Sequence, residues 1–123
     1  MSDSCVIVVV VAEQGPLREG LRALLGSMEG LLILEMESFA SAVAISAACR
    51  PRMAVLEYFP AADANRALAE IKGDTPDTRC VALVNSMQEQ HAALLAGADI
   101  APVKGERAEQ LFAEIESLLA PGE

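Results

Sequence analysis

The chain has 123 residues, 53% of them hydrophobic, and 18 acidic side chains against 9 basic ones give it a formal net charge of −9. That length suits one domain able to bury a substantial core, and the apolar fraction excludes a disordered chain despite the charge. Phosphate backbones and anionic lipids are recognised by clustered Lys and Arg, so direct nucleic-acid binding and a membrane-surface role are not expected.

Three cysteines, Cys5, Cys49 and Cys80, form no CxxC pair, and with the single His91 they supply no zinc ligand set. Each stands among apolar neighbours, which reads as a small core residue in a reducing compartment. The apolar run near the N-terminus lacks a basic flank and falls short of the roughly 20 residues that a membrane span requires. A cytoplasmic, soluble protein is expected.

In chain order, Val6–Ala12 (VIVVVVA) is continuously apolar and β-branched, as in a strand covered on both faces. A helix follows, with Pro16 in its first turn and Leu17, Leu21, Leu24, Leu25 and Met28 on one face. Leu31–Met36 reads as a second strand, and a helix of small residues through Cys49 has Ser38 as its cap. Met53–Glu57 (MAVLE) is a third strand ending on an acid. The next helix places Ala64, Ala67, Leu68 and Ile71 on one face and is expected to stop at Gly73. Cys80–Asn85 (CVALVN) is a fourth strand, followed by a short helix closed by Gly97. Ile100–Val103 (IAPV) is a fifth strand whose Pro102 places it at the sheet edge. The last helix carries Ala108, Leu111, Phe112, Ile115, Leu118 and Leu119 as a stripe.

Five alternating strand–helix units with short connections imply right-handed crossovers and helices on both faces of a parallel sheet. The fold class is α/β, a three-layer doubly wound sandwich, in one domain over 1–123 with short tails at 1–4 and 120–123. Ligands of such sheets collect outside the carboxyl ends of the strands. Those ends carry Glu13 and Gln14, Glu57, Val84 and Asn85, and Lys104, so carboxylates and an ammonium are expected to converge there.

The segments GPLREGLRALL, CRPRMAVLE, TPDTR and AGADIAPVK, in this order and spacing, resemble the receiver domain of bacterial two-component response regulators. Receivers of helix-turn-helix transcription regulators are the nearest likeness, and it spans nearly the whole chain. The resemblance implies a five-stranded, flavodoxin-like sheet in the order 2-1-3-4-5. It also implies an aspartate phosphorylated at the end of the third strand and an acidic pair that holds Mg²⁺. A hydroxyl on the fourth strand, a lysine on the fifth and a switching aromatic complete that pattern.

This sequence departs from it. The acceptor position is Glu57, the acidic pair reads Glu13–Gln14, the hydroxyl position falls on Val84 and the aromatic position on Ala101; Lys104 alone matches. A slip of one or two residues at the hydroxyl position would give Asn85 or Ser86. The extra methylene of Glu57 moves its carboxylate by about 1.5 Å, and in-line attack tolerates little misplacement. Gln14 removes a charge from the metal cradle, so Mg²⁺ binding is expected to be weak or absent, and no other cofactor is implied. Val84 offers no donor to a phosphoryl oxygen.

Glu57 then either mimics a phosphorylated state or forms a structural pair in which Lys104 neutralises Glu13 and Glu57; the second is favoured. Tyr58 and Phe59 are either local packing or an exposed partner contact, and the second is favoured. His91 is assigned no role. The expected function is an atypical, non-enzymatic receiver lacking the phospho-acceptor Asp. It acts as a phosphorylation-independent interaction module, binding a protein partner or a second copy through its outer helices; a C-terminal DNA-binding domain outside this sequence is the further element that the resemblance leaves open. A receiver that signals through Glu57 with Mg²⁺ is the first alternative. A small flavodoxin-like ligand-binding protein is the second, although the AEQGPL turn has one Gly and then a Pro, a poor phosphate cradle.

Overall fold

Six consecutive β-branched residues, Val6–Val11, form β1 inside a parallel sheet in a computed structural model that describes residues 6–13, 15–104 and 108–119. The remaining elements are α1 (Pro16–Gly26), β2 (Leu31–Met36), α2 (Phe39–Cys49), β3 (Met53–Glu57), α3 (Ala61–Asp74), β4 (Arg79–Leu83), α4 (Met87–Ala96) and α5 (Ala108–Leu119). The strands lie in the order β2-β1-β3-β4.

The expected fifth strand is not a regular strand. Residues 100–103 lie beside β4 through two isolated bridges, Val81 with Ile100 and Val84 with Val103. The hydrogen bonds show why. The N–H groups of Ile100 and Lys104 donate to the carbonyls of Cys80 (3.4 Å) and Val84 (2.7 Å), and those of Ala82 and Val84 donate to Ile100 and Pro102 (3.1 and 3.0 Å). Between Ile100 and Lys104 the next donor would be Pro102, which has no N–H. One missing rung reduces a strand to an edge segment, yet that segment still carries Lys104 to the end of the sheet.

Side-chain alternation divides the core into two layers. Val9, Val11, Ala54, Leu56, Ala82 and Val84 face α2, α3 and α4, where Ala42, Ala64, Ala67, Leu68, Ile71 and Ala93 are buried. Val8, Val10, Met53, Val55, Val81 and Leu83 face α1 and α5, against Leu21, Leu25 and Ile115. Small residues on the first face let the helices approach the sheet closely. Each fully buried Val or Leu contributes about 1.5–3 kcal/mol of transfer free energy, so the valine-rich centre is the main stabilising feature.

The helix ends largely follow the sequence. Pro16 occupies the start of α1, and the Ser38 hydroxyl accepts from the Ser41 N–H at 3.1 Å. Gly97, at φ 127°, closes α4. Gly73 does not stop α3, which runs on to Asp74. Its end is set by Thr75, whose hydroxyl donates to the Ile71 carbonyl at 2.9 Å, and by Pro76 beyond it. In α5, Ile115 is fully buried and Leu118 partly so. The side chains of Ala108, Leu111, Phe112 and Leu119 lie outside those described.

Two polar clusters clip helices to the sheet. Glu35 of β2 accepts from Arg18 Nε (2.8 Å) and Arg22 Nε (2.7 Å) of α1, and the hydrogen bond from Arg22 chiefly holds its carboxyl down at about 2. Asp99 accepts from the Cys80 N–H at 2.7 Å and from Lys72 Nζ at 3.1 Å, fastening the segment after α4 to β4 and α3. Cys80 is buried, and desolvation pushes its thiol up to about 12, as expected of an inert core cysteine. Cys49 departs from the core reading: it closes α2 and is exposed. Cys5 lies outside the described residues.

Candidate functional site

β1 and β3 end side by side, with Val11 paired to Leu56, and this register sets Glu57 next to the turn that leaves β1. The backbone N–H of Glu13 donates to Glu57 Oε1 at 3.1 Å, and Lys104 Nζ donates to Glu57 Oε2 at 2.8 Å. Both oxygens of the carboxylate are therefore engaged by the protein itself. Partial burial acts to raise the Glu57 carboxyl. The hydrogen bonds from Lys104 and Glu13, with the Lys104 charge, outweigh it and hold the group below the usual carboxylate range. The pair is about four-fifths buried on the Glu57 side, so solvent screens it less than an exposed ion pair.

The expected convergence is present with one difference. Lys104 meets Glu57, but Glu13 contributes its backbone N–H, and its side chain is exposed. Gln14 lies outside the described residues. Val84 is fully buried in the layer facing α2–α4, bridged to Val103, and does not face the rim. The neighbouring residues serve the next helix: the Ser86 hydroxyl accepts from the Glu89 N–H at 3.1 Å, and Glu89 Oε1 accepts from the Asn85 N–H at 2.8 Å. Ala101 is buried as well.

Tyr58 corrects an expectation. It is only 2% exposed and donates its hydroxyl to Asn65 Oδ1 at 2.6 Å, so it packs inside the α3 turn and offers nothing to a partner. Its N–H continues the β3–β4 ladder by donating to the Leu83 carbonyl. Alternation along β3 then directs Tyr58 to the same side as Ala54 and Leu56, a signal present in the sequence. Phe59 is the opposite case, 65% exposed.

Phe59 stands on a cleft of 630 Å³ at the carboxyl end of the sheet, between the start of α2 and the length of α3. The sequence did not single out its other polar lining residues, Glu37, Asp63, Arg66 and Glu70, because three of them are spaced along one helix and read as an ordinary solvated face.

A divalent cation at this rim would need several hard oxygen ligands. Glu57 accepts one N–H at each oxygen, and among the described residues no three His, Cys, Asp or Glu side chains are grouped to hold a metal ion.

No family model matches the sequence, and neither does any curated protein. Solved structures do. The signal receiver domain of the putative response regulator NarL from Mycobacterium tuberculosis aligns with 94% of this chain and 96% of its own, with a TM-score of 0.79 and 22% identity. A LuxR family DNA-binding response regulator from Silicibacter pomeroyi covers 92% of this chain and 90% of its own, with a TM-score of 0.76 and 22% identity. The beryllofluoride-activated NtrC4 receiver domain dimer covers 91% and 94%, with a TM-score of 0.78 and 21% identity. The likeness establishes the fold of a response-regulator receiver, with the fifth position of the sheet reduced to an edge segment.

Proposed function

We propose that this chain is a signalling receiver whose phosphoryl rim has become a fixed structural pair, and which works by binding protein without being phosphorylated. The observation that carries the reading is the Glu57 carboxylate, held at one oxygen by Lys104 and at the other by the Glu13 N–H. A nucleophile must present a free lone pair in line with the incoming phosphorus. The two bonds fix the direction in which the Glu57 carboxylate points, and its extra methylene sets the oxygens about a C–C bond too far forward for in-line attack.

α4 supports the binding part of the proposal. Its inner side buries Ala93, while Met87 (73% exposed), Leu94 and Leu95 (77% exposed) are apolar on the outside. Positions 87, 91, 94 and 95 fall on neighbouring turns, so these side chains form one patch around His91. A helix that is apolar on both sides is one whose outer face is covered by something else. That patch is where a partner or a second copy would sit.

The test is incubation of the protein with acetyl phosphate and Mg²⁺, followed by intact mass measurement. The expected spectrum is unchanged; a phosphoryl adduct that disappears in Glu57→Gln would overturn the proposal.

A further inference from the structure

The cleft beside the Glu57–Lys104 pair is separate from the α4 patch, and its lining points to a particular occupant. Its apolar lining comes from Val11, Ala12, Phe39, Pro60 and Ala67, with the buried Val11, Ala12 and Ala67 as its floor, and the exposed Phe59 lines it as well. A volume of 630 Å³ lies within the roughly 300–1,000 Å³ of ligand clefts, and an exposed aromatic beside such a floor has the character of an interface anchor. The rim is negative. Glu13, Glu37, Glu57, Asp63 and Glu70 line the cleft with Arg66 as the opposing cation. Lys104 offsets Glu57, and Arg18 Nη1 stands 3.8 Å from Glu37. Glu13, Asp63 and Glu70 form no ion pair among the described residues.

Part of this charge has a local reason. Asp63 lies in the first turn of α3, where a carboxylate complements the helix dipole. Each helix start contributes only about half a positive charge, so those of α2 and α3, even together with Arg66, do not balance three carboxylates. Glu70 stands two turns further along, beyond the reach of that effect. The whole chain, at −9, adds to the same negative field.

We propose that this cleft docks a segment of a partner protein that presents an apolar side chain flanked by Arg or Lys. The apolar residue fills the floor beside Phe59, and the flanking cations meet Asp63, Glu70 and Glu13. The inference rests on the proposed function only in taking the chain to work by binding protein, and not on the chemistry of the rim.

A phage-displayed library of random dodecapeptides, selected on the immobilised full chain, tests it. Enriched peptides are expected to carry Leu, Phe or Trp next to Arg or Lys. Their affinity should fall about tenfold or more in Phe59→Ala and in the double variant Asp63→Lys/Glu70→Lys. All three residues are exposed, so Phe59→Ala should keep the wild-type melting temperature, and the double variant should stay folded with only the small fall expected from placing a cation at the start of α3. Glu29→Lys, an equal kind of charge reversal at the other end of the strands, should leave binding unchanged if the cleft, and not the overall charge, is what attracts. A selection that enriches nothing, peptides without basic residues, or equal weakening by Glu29→Lys would each overturn the proposal. An acetyl phosphate adduct would end the reading of the rim and leave this result standing, whereas a failed selection would leave the rim's reading intact.

Discussion

Lys104 and Glu57 meet at 2.8 Å across the end of the sheet, 47 residues apart in sequence, and the Glu13 N–H occupies the carboxylate's other oxygen. Glu57→Gln replaces an acceptor pair by one acceptor and one donor, so one of the two N–H groups loses its partner. Loss of about 1–2 kcal/mol near neutral pH is expected, the usual range for a charge-assisted hydrogen bond in a partly exposed place. The pH dependence carries the sign. The folded-state carboxyl is depressed, so its stabilisation is complete above the unfolded-state value near 4.5 and is lost as pH falls through the folded value. Chemical denaturation at a series of pH values should therefore show a shallower acid slope in Glu57→Gln than in wild type. Glu35, held at about 2, contributes its own slope from about pH 4.5 downward and remains in the variant. Identical slopes in the two proteins would show that the pair does not couple folding to protonation.

Val84→Thr places a hydroxyl at the residue that the receiver resemblance led one to expect in the hydroxyl position. Because Val84 is fully buried in an apolar layer, the new hydroxyl is buried with it. A destabilisation of about 1–3 kcal/mol is expected, read as a lower urea midpoint. No phosphoryl adduct should appear by intact mass under acetyl phosphate, since the hydroxyl points into the core and Glu57 stays engaged.

Adjacent aromatics should respond oppositely. Tyr58→Phe deletes the hydrogen bond to Asn65 within the buried turn and should cost about 1 kcal/mol. Phe59→Ala, on an exposed side chain, should stay within about 0.5 kcal/mol of wild type. Thermal melts of the two variants side by side are sufficient, and a reversal of this order would mean that the turn is packed differently in solution.

The parts legible in the sequence are those fixed by periodicity. Continuous valines gave β1, the spacing of Ala64, Ala67, Leu68 and Ile71 gave α3, and the rule that ligands gather at strand ends brought Glu57 and Lys104 together. What the sequence hid depends on single backbone atoms. Pro102 was legible as an edge signal, but the removal of one rung, which reduces the fifth strand to bridges, is visible only once the register with β4 is known. Gly73 looked like a stop because glycine often ends helices, yet the hydroxyl of Thr75 and the ring of Pro76 end α3. Glu13 looked like a carboxylate donor to the site, and its contribution is the backbone N–H. Tyr58 stands next to the exposed Phe59 in sequence and reads like it, yet its N–H still belongs to the ladder and strand alternation turns its ring inward. The cleft that Phe59 lines is assembled from the end of β1, the start of α2 and the length of α3, which no local pattern joins.

The outer face of α4 gives the last prediction. Met87 and Leu95 are exposed and contribute nothing to the core on the Ala93 side, so Met87→Glu/Leu95→Glu should leave the melting temperature within a few degrees of wild type. Burying two carboxylates in an apolar contact carries a large desolvation cost, so any association through this face should be lost. Sedimentation velocity over a range of protein concentrations should show wild type shifting towards a larger species and the double variant remaining at the monomer value. If both proteins sediment alike as monomers, α4 does not mediate self-association, and its apolar side chains would have to be covered by a different protein. If both associate alike, the contact lies elsewhere, and the α5 side of the molecule becomes the surface to alter next.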